Sequence, residues 1–125
     1  MRRKSIARQL AFTALLGLLL AGCGKFADAA DAKFGDQHFK TAISLIELYR
    51  VRHGEYPPSL DKLDFIGDWD LGALSAVRYD RLSEGYSLDL VRGWIGKPDV
   101  SYPPEFWNGL GLRQTNVRRS SAKGA

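Results

Sequence analysis

Residues 36–54 read DQHFKTAISLIELYRVRHG, and this stretch decides the fold. Its large apolar residues recur every three or four positions and therefore line one face of a helix: Phe39, Ala42, Ile43, Ile46 and Tyr49. Lys40, Glu47 and Arg50 are predicted to point away from that face. The pattern predicts an amphipathic helix that packs against the rest of a small domain.

Both ends of this helix carry residues suited to capping. Asp36 is predicted to cap the N-terminus, because its carboxylate can accept hydrogen bonds from free backbone N–H groups. At the other end His53 suits the negative end of the helix dipole, and Gly54 can adopt the left-handed conformation of a C-cap. The prolines at 57–58 lack N–H donors, so the helix cannot continue through them.

The segment after the prolines is predicted to fold back over the helix. Ser59 begins a short helical turn. This turn is expected to direct four apolar side chains toward the helix: Leu60, Leu63, Phe65 and Ile66. Residues 67–72, GDWDLG, are then predicted to form a loop, because Gly and Asp favour turns.

Two alternating stretches follow and predict an antiparallel hairpin. Residues 76–82 and residues 86–91 each alternate apolar and polar side chains. The three residues between them, Ser83-Glu84-Gly85, include a glycine where a positive φ would be needed.

The segments before the helix and after the hairpin set the expected boundaries of the domain. Residues 110–112 predict a last short strand, whereas residues 114–125 carry basic side chains with little apolar surface and predict a disordered basic tail. Residues 23–35, CGKFADAADAKFG, predict a tether, although their alanines also allow a helix. The expected fold class is α+β, in which a long N-terminal helix packs on a small antiparallel sheet within residues 36–113.

The N-terminus has the layout of an export signal. A basic start, residues 2–8, precedes an apolar run of twelve residues at 10–21. A membrane-spanning helix needs about twenty apolar residues, so this run is too short to span a bilayer. Cleavage could follow an A-x-A site at residues 27–29, but that site lies far beyond the run, and we favour cleavage before Cys23.

The tetrad Leu20-Ala21-Gly22-Cys23 resembles the lipobox of bacterial lipoproteins. The resemblance implies that residues 1–22 are a signal peptide and that Cys23 becomes the first residue of the mature chain. Diacylglycerol would then be attached to the Cys23 sulfur, and a fatty acid such as palmitate to its amino group. Gly24, where an Asp would favour the inner membrane, implies the outer membrane, with the domain facing the periplasm. The lipid bilayer is thus one expected partner.

The charge balance changes once the signal is set aside. From Cys23 onward fourteen Lys and Arg residues meet fourteen Asp and Glu residues, so the mature domain is neutral. A neutral domain has no overall field to attract nucleic acid, and no nucleic-acid partner is expected. Cys23 is also the only cysteine, so once acylated it leaves no thiol for a disulfide or a soft metal site.

The segment from Ile46 to Leu63 resembles the end of the spine helix in type IV pilins and type II secretion pseudopilins. The shared pattern is Tyr-x-x-x-x-Gly-x-Tyr-Pro, here residues 49–57, followed by Ser-Leu-x-x-Leu at residues 59–63. The resemblance implies a long helix packed on a small antiparallel sheet. The sequence matches neither the long apolar filament helix of those families nor the calcium loop of the major pseudopilin. The resemblance therefore implies a pilin-like head on a lipid anchor.

The sequence contains no recognisable enzyme, metal or cofactor motif. His38 and His53 are fifteen residues apart, or about 22 Å along a helix, which excludes a metal ion shared by both. Four nearby aspartates lack the spacing of a calcium loop: Asp61, Asp64, Asp68 and Asp70. We expect them to cap turns, while Asp68 and Asp70 also suit a loose cation site.

Four aromatic residues near prolines are the candidate partner-binding residues: Trp94, Tyr102, Phe106 and Trp107. Such residues either form a docking face or complete the core of a small domain. We expect a non-enzymatic, membrane-anchored binding or assembly component of the bacterial envelope, with an envelope protein as its partner. The alternatives are an accessory of a pilus or type II secretion system and a small cell-wall-modifying enzyme.

Overall fold

One continuous helix organises the molecule. The structure, a computed structural model, describes residues 2–121, with the side chains described for 5–17 and 24–121. Helix α1 spans Arg2–His53. The prediction that Asp36 caps a helix start is therefore wrong. The Asp36 carboxylate instead accepts a 2.8 Å hydrogen bond from the Tyr102 hydroxyl and pairs with Lys40 at 3.0 Å.

Residues 24–35 are helical and contact the domain, which corrects the prediction of a separate tether. The alanines that allowed a helix there are the local reason. Contacts add to this preference, because Gly35 lies so close to Pro98 that an added Cβ would be 2.9 Å from the Pro98 Cβ. Asp31, one turn earlier, bonds to the backbone of residues 94–96. The domain thus includes residues that precede position 36.

The C-terminal end of α1 follows the sequence prediction. Gly54 has a φ of +81°, and its N–H donates a 2.8 Å hydrogen bond to the carbonyl of Arg50. A short 3₁₀ turn spans Leu60–Lys62, and Leu60 packs against the core. Phe65, which was predicted to fold over the helix, is 85% exposed, so that prediction is wrong. Its ring lies under the Arg52 guanidinium instead, at 5.0 Å.

A second helix replaces the loop predicted for residues 67–72. Helix α2 spans Asp68–Ser75. The Asp70 carboxylate accepts a 3.0 Å hydrogen bond from the Gly67 N–H and so stabilises the first turn. Ala73 is buried. Capping and burial therefore outweigh the turn preference of Gly and Asp in this segment.

As far as residue 121, five strands follow α2: β1 (Val77–Arg81), β2 (Tyr86–Leu90), β3 (Ser101–Tyr102), β4 (Leu112–Gln114) and β5 (Arg118–Arg119). Strands β1 and β2 form the predicted antiparallel hairpin, with Gly85 at a φ of +75° in its turn. Strand β4 pairs with β2 in parallel, so the sheet is mixed and not wholly antiparallel. The α+β class, with a long helix on a small sheet, is confirmed.

The C-terminal segment is ordered as far as the structure describes it. Strand β5 pairs with β3 in parallel. The Asn116 side chain donates to the carbonyl of Leu90 at 2.9 Å and accepts from its N–H at 2.8 Å, as a neighbouring strand would. Val117 is 8% exposed. The prediction of a disordered tail is therefore wrong for residues 114–121, and residues 122–125 lie outside the described part.

The core lies between the predicted face of α1 and the strands. The helix contributes Phe39, Ala42, Ile43 and Ile46, all buried as predicted. The partners that surround them are Val77, Tyr86, Leu88, Leu90, Tyr102, Trp107, Leu112 and Val117. Among the described residues, no helix combines the length and the apolar character needed to cross a bilayer.

Candidate functional site

Two of the four predicted partner-binding residues are buried in the core. Tyr102 and Trp107 are 6% and 7% exposed. The Tyr102 ring stacks between Phe39, at 5.9 Å, and the half-buried Phe106, at 3.9 Å. Trp107 meets the Phe106 ring edge-on at 5.1 Å. The docking-face interpretation is therefore wrong for Tyr102 and Trp107, which complete the core instead.

Trp94 is the predicted aromatic residue that remains at the surface. It is 46% exposed, and its ring meets the ring of Phe26 edge-on at 6.1 Å. The neighbouring Ile95 and Phe26 are 70% and 67% exposed. Phe26 lies on α1 only three residues after Cys23, whose own side chain is outside the described part. Trp94 thus lies beside the end of the chain that carries the predicted anchor.

A carboxylate on α1 fixes the loop that carries Trp94. One oxygen of Asp31 accepts hydrogen bonds from three successive backbone N–H groups, those of Trp94 at 2.8 Å, Ile95 at 2.7 Å and Gly96 at 3.0 Å. The Ile95 N–H, with help from the other two, lowers the pKa of Asp31. Gly93 lies so close to the Asp31 backbone that an added Cβ would be 2.7 Å from its Cα. Sequence reasoning missed this contact because residues 23–35 resembled a tether.

A second carboxylate joins α1 to three distant segments. Glu47 accepts hydrogen bonds from the Tyr56 hydroxyl at 2.8 Å, the Tyr86 hydroxyl at 2.9 Å and the Gly111 N–H at 3.0 Å. The prediction that Glu47 points away from the packed face is wrong. Its polarity suggested a solvated position, but the tyrosine hydroxyls and one free N–H supply the partners that a half-buried carboxylate needs.

The tyrosines around Glu47 remain protonated over the ordinary pH range. Burial, followed by the nearby Glu47 charge, raises the pKa of Tyr86 well above its usual value. Burial also raises the pKa of Tyr79 to about 12, and the Tyr79 hydroxyl donates a 2.6 Å hydrogen bond to the carbonyl of Pro57. These hydroxyls are therefore hydrogen-bond donors that hold the structure together.

An open groove lies next to the Glu47 contacts, at the C-terminal end of α1. Two adjoining depressions of about 320 Å³ each share Arg50, Tyr56 and Gly85, and Arg81 and Arg113 line one depression each. We call this surface the arginine groove. The Arg50 guanidinium lies 5.5 Å from the centre of the Tyr56 ring, and Arg81 Nη1 lies 3.4 Å from the Tyr56 carbonyl oxygen.

The charges in the arginine groove favour an anionic ligand. Within residues 5–17 and 24–121, none of Arg50, Arg81 and Arg113 forms an ion pair. Glu55 and Glu84 also line the depressions, and Glu47 is bonded to Tyr56 and Gly111 beside them, so the three guanidinium groups are matched by three carboxylates in number but are not paired with them. Guanidinium groups recognise carboxylates and phosphates with paired hydrogen bonds. No local sequence pattern indicates this surface, because its arginines come from α1, β1 and β4.

The two histidines take structural positions. His53 Nε2 lies 2.7 Å from an oxygen of Asp64, and the imidazole stacks on the Tyr49 ring at 4.1 Å. His38 lies against Phe34, and burial followed by the nearby charge of Arg92 lowers the pKa of His38.

Three of the four clustered aspartates contact protein groups. Asp70, one of the two that suited a loose cation site, accepts a hydrogen bond from the Gly67 N–H. Asp64 bonds to His53, and Asp61 accepts a hydrogen bond from Ser59. Among the described residues, no three His, Cys, Asp or Glu side chains are arranged to hold a metal ion. Asp70 thus caps the start of α2 and Asp61 lies in the turn after Ser59, whereas Asp64 pairs with His53.

Comparisons with protein families, with curated proteins and with solved structures found no match to this chain.

Proposed function

We propose that this chain is a bacterial envelope lipoprotein, acylated on Cys23, whose domain is a non-enzymatic binding or assembly component. The observation that carries the proposal is the path of α1. The helix leads from the lipobox-like residues into the core, and Asp31 is already bonded to the domain eight residues after Cys23. Asp31 lies about 12 Å from Cys23 along the helix. A lipid on Cys23 would therefore hold a rigid domain close to the bilayer.

Acylation on Cys23 explains how such a domain would stay at the membrane. A single acyl chain binds a bilayer reversibly, with an association constant of about 10⁴ M⁻¹. Each additional buried CH₂ group adds about 0.8 kcal/mol, so diacylglycerol together with an amide-linked fatty acid gives stable anchoring. The proposed location is the outer membrane, on its periplasmic side, because Gly24 follows the cysteine.

The arginine groove is the proposed binding surface for an envelope protein. It lies at the end of α1 that is farthest from Cys23, so it faces away from the proposed anchor. Its three guanidinium groups, which form no ion pair within the described residues, suit an acidic segment of the partner. Tyr102 and Trp107 are buried, so the arginine groove takes their place as the candidate partner-binding site.

An accessory role in a pilus or type II secretion system is the second candidate. The pattern that carries the resemblance to pilins is structurally important here. Gly54 caps α1, Pro57 is fully buried, and the Pro57 carbonyl accepts the Tyr79 hydroxyl. The helix, the Tyr-Pro turn and the hairpin thus form one packed unit, as the resemblance to a pilin-like head implies.

Chemical crosslinking in intact envelopes tests the binding proposal. Full-length wild-type protein is compared with the double variant Arg81→Glu/Arg113→Glu, which reverses two groove charges on exposed strand positions. Arg78→Glu is the matched control, because Arg78 is exposed on β1 but does not line the groove. We expect a discrete crosslinked partner that is lost in the double variant, weakens with salt and persists in the control. A partner that survives in the double variant, or no partner at all, would contradict the proposal.

A further inference from the structure

We propose that Phe26, Trp94 and Ile95 form a membrane-contact patch that inserts into the head-group layer of the bilayer. The three side chains are 67%, 46% and 70% exposed, and Phe26 and Trp94 lie in edge-to-face contact. They come from the start of the domain and from a loop 68 residues later, so the fold brings them together. Clustered apolar side chains at a surface mark a contact site more often than scattered ones do.

The position of this patch relative to Cys23 favours lipid as its occupant. This step rests on the proposed acylation of Cys23. Phe26 follows Cys23 by three residues, or about 4.5 Å along the helix, and Asp31 lies about 12 Å along it. The head-group layer is about 5–7 Å thick on each side of a bilayer. Phe26 would thus lie within this layer, and Trp94, which touches Phe26, would lie at its outer boundary.

The backbone of the loop is already prepared for a less polar environment. Unpaired N–H groups are costly to transfer from water to an apolar medium. The Asp31 carboxylate accepts the N–H groups of Trp94, Ile95 and Gly96, so none of the three has to find a new partner in the lipid. The same bonds hold the Trp94 and Ile95 side chains outward. The patch is therefore preformed and does not have to be ordered on contact.

The residues around the patch suit an interface between lipid and water. Tryptophan is enriched at this level in membrane proteins, because its ring is apolar and its N–H can reach polar groups. Lys25, next to Phe26 in the sequence, and Lys97, two residues after Ile95, are exposed, and such side chains can extend toward lipid phosphates. Asp28 is exposed nearby, so the attraction to anionic lipid is limited and apolar insertion dominates.

Tryptophan quenching by spin-labelled lipid tests this inference. The full chain, purified from membranes with its lipid, is reconstituted into phosphatidylethanolamine and phosphatidylglycerol vesicles that carry a nitroxide near the head group. We expect head-group nitroxide to quench part of the wild-type emission and a larger fraction of the emission of the Trp69→Phe variant, because that variant lacks a tryptophan that lies away from the lipid. In Trp94→Phe we expect at least a threefold smaller quenched fraction. Trp69 is the matched control because it is 92% exposed but lies on α2.

Flotation of the same vesicles separates this inference from the lipoprotein proposal. A wild-type chain that carries no lipid and does not float contradicts the proposed function. A chain that floats but shows the same quenching in Trp94→Phe as in the wild type overturns the membrane-contact patch alone. Absent quenching in a floating chain also overturns it, because Trp94 would then lie away from the lipid.

Discussion

The Glu47 carboxylate accepts a 2.9 Å hydrogen bond from the hydroxyl of Tyr86, which lies 39 residues further along the chain. Tyr86 is fully buried on β2, and Glu47 lies on α1. This contact joins the long helix to the centre of the sheet, and Tyr56 and Gly111 bond to the same carboxylate. The register of helix and sheet is therefore set by polar contacts as well as by apolar packing.

Replacing Glu47 is expected to destabilise the domain strongly. A hydrogen bond to a charged group contributes about 1.5–3 kcal/mol, and the three bonds act together at a half-buried site. We expect Glu47→Ala to lower the free energy of unfolding by roughly 2–4 kcal/mol in urea titrations followed by circular dichroism. Ser44→Ala, at an exposed position of the same helix, should change it by about 0.5 kcal/mol or less. Equal effects of the two variants would contradict the role of Glu47.

Removing the Asp31 carboxylate is expected to release the loop of residues 93–96. Asp31→Ala leaves three backbone N–H groups without their acceptor. Hydrogen exchange should show faster exchange at the Trp94, Ile95 and Gly96 amides, with little change at β2. Asp28→Ala, on the same exposed part of α1, is the control and should leave these amides protected. Unchanged protection in Asp31→Ala would contradict the contact.

Stability is expected to fall in alkaline solution because of the buried tyrosines. The pKa of Tyr79 is raised to about 12 from a value near 10 in the unfolded chain. Between these values the unfolded state binds fewer protons than the native state, so stability is complete below about pH 10 and is lost as the pH rises toward 12. Urea midpoints at several pH values should show this decline, with a shallower slope in Tyr79→Phe. An unchanged slope in that variant would contradict the assignment.

Replacing Trp107 by alanine should lower the stability of the domain much more than replacing Trp94. Trp107 is buried and packs against Phe106 and Phe39, so Trp107→Ala is expected to cost about 3–5 kcal/mol of unfolding free energy. Trp94→Ala removes a half-exposed ring and should cost about 1 kcal/mol or less. Thermal unfolding of both variants in detergent measures the difference. If Trp107→Ala and Trp94→Ala lowered the unfolding free energy by similar amounts, the assignment of Trp107 to the core and Trp94 to the surface would be contradicted.

Apolar periodicity predicted the parts of the fold that depend on local pattern. The buried positions Phe39, Ile43 and Ile46 follow the helical repeat, and β1 and β2 follow the alternating repeat. The pattern failed where contacts distant in sequence decide the structure. Asn116 orders the C-terminal segment by bonding to Leu90, and no local feature of residues 114–121 indicates a strand.

The candidate site is harder to predict than the fold, because the polarity of a side chain does not show whether donors from distant segments reach it. Glu47 was predicted to point away from the packed face and Asp31 lay in the predicted tether, yet each accepts several hydrogen bonds from segments 9 to 65 residues away. Among the predicted aromatics, Trp94 and Trp107 carry the same side chain, and only the tertiary structure separates the surface residue from the core residue. Which polar residue meets which donor depends on packing that the sequence pattern does not encode.

Acylation of Cys23 is the central claim, and intact-mass measurement tests it most directly. The full chain is produced in a bacterium that processes lipoproteins, extracted with detergent, and compared with Cys23→Ser. We predict that the wild-type chain begins at Cys23 and carries the added mass of diacylglycerol and one fatty acid. Cys23→Ser should lack that mass and keep residues 1–22. A wild-type chain without lipid mass, or a serine variant with the same mass increase, would contradict the claim.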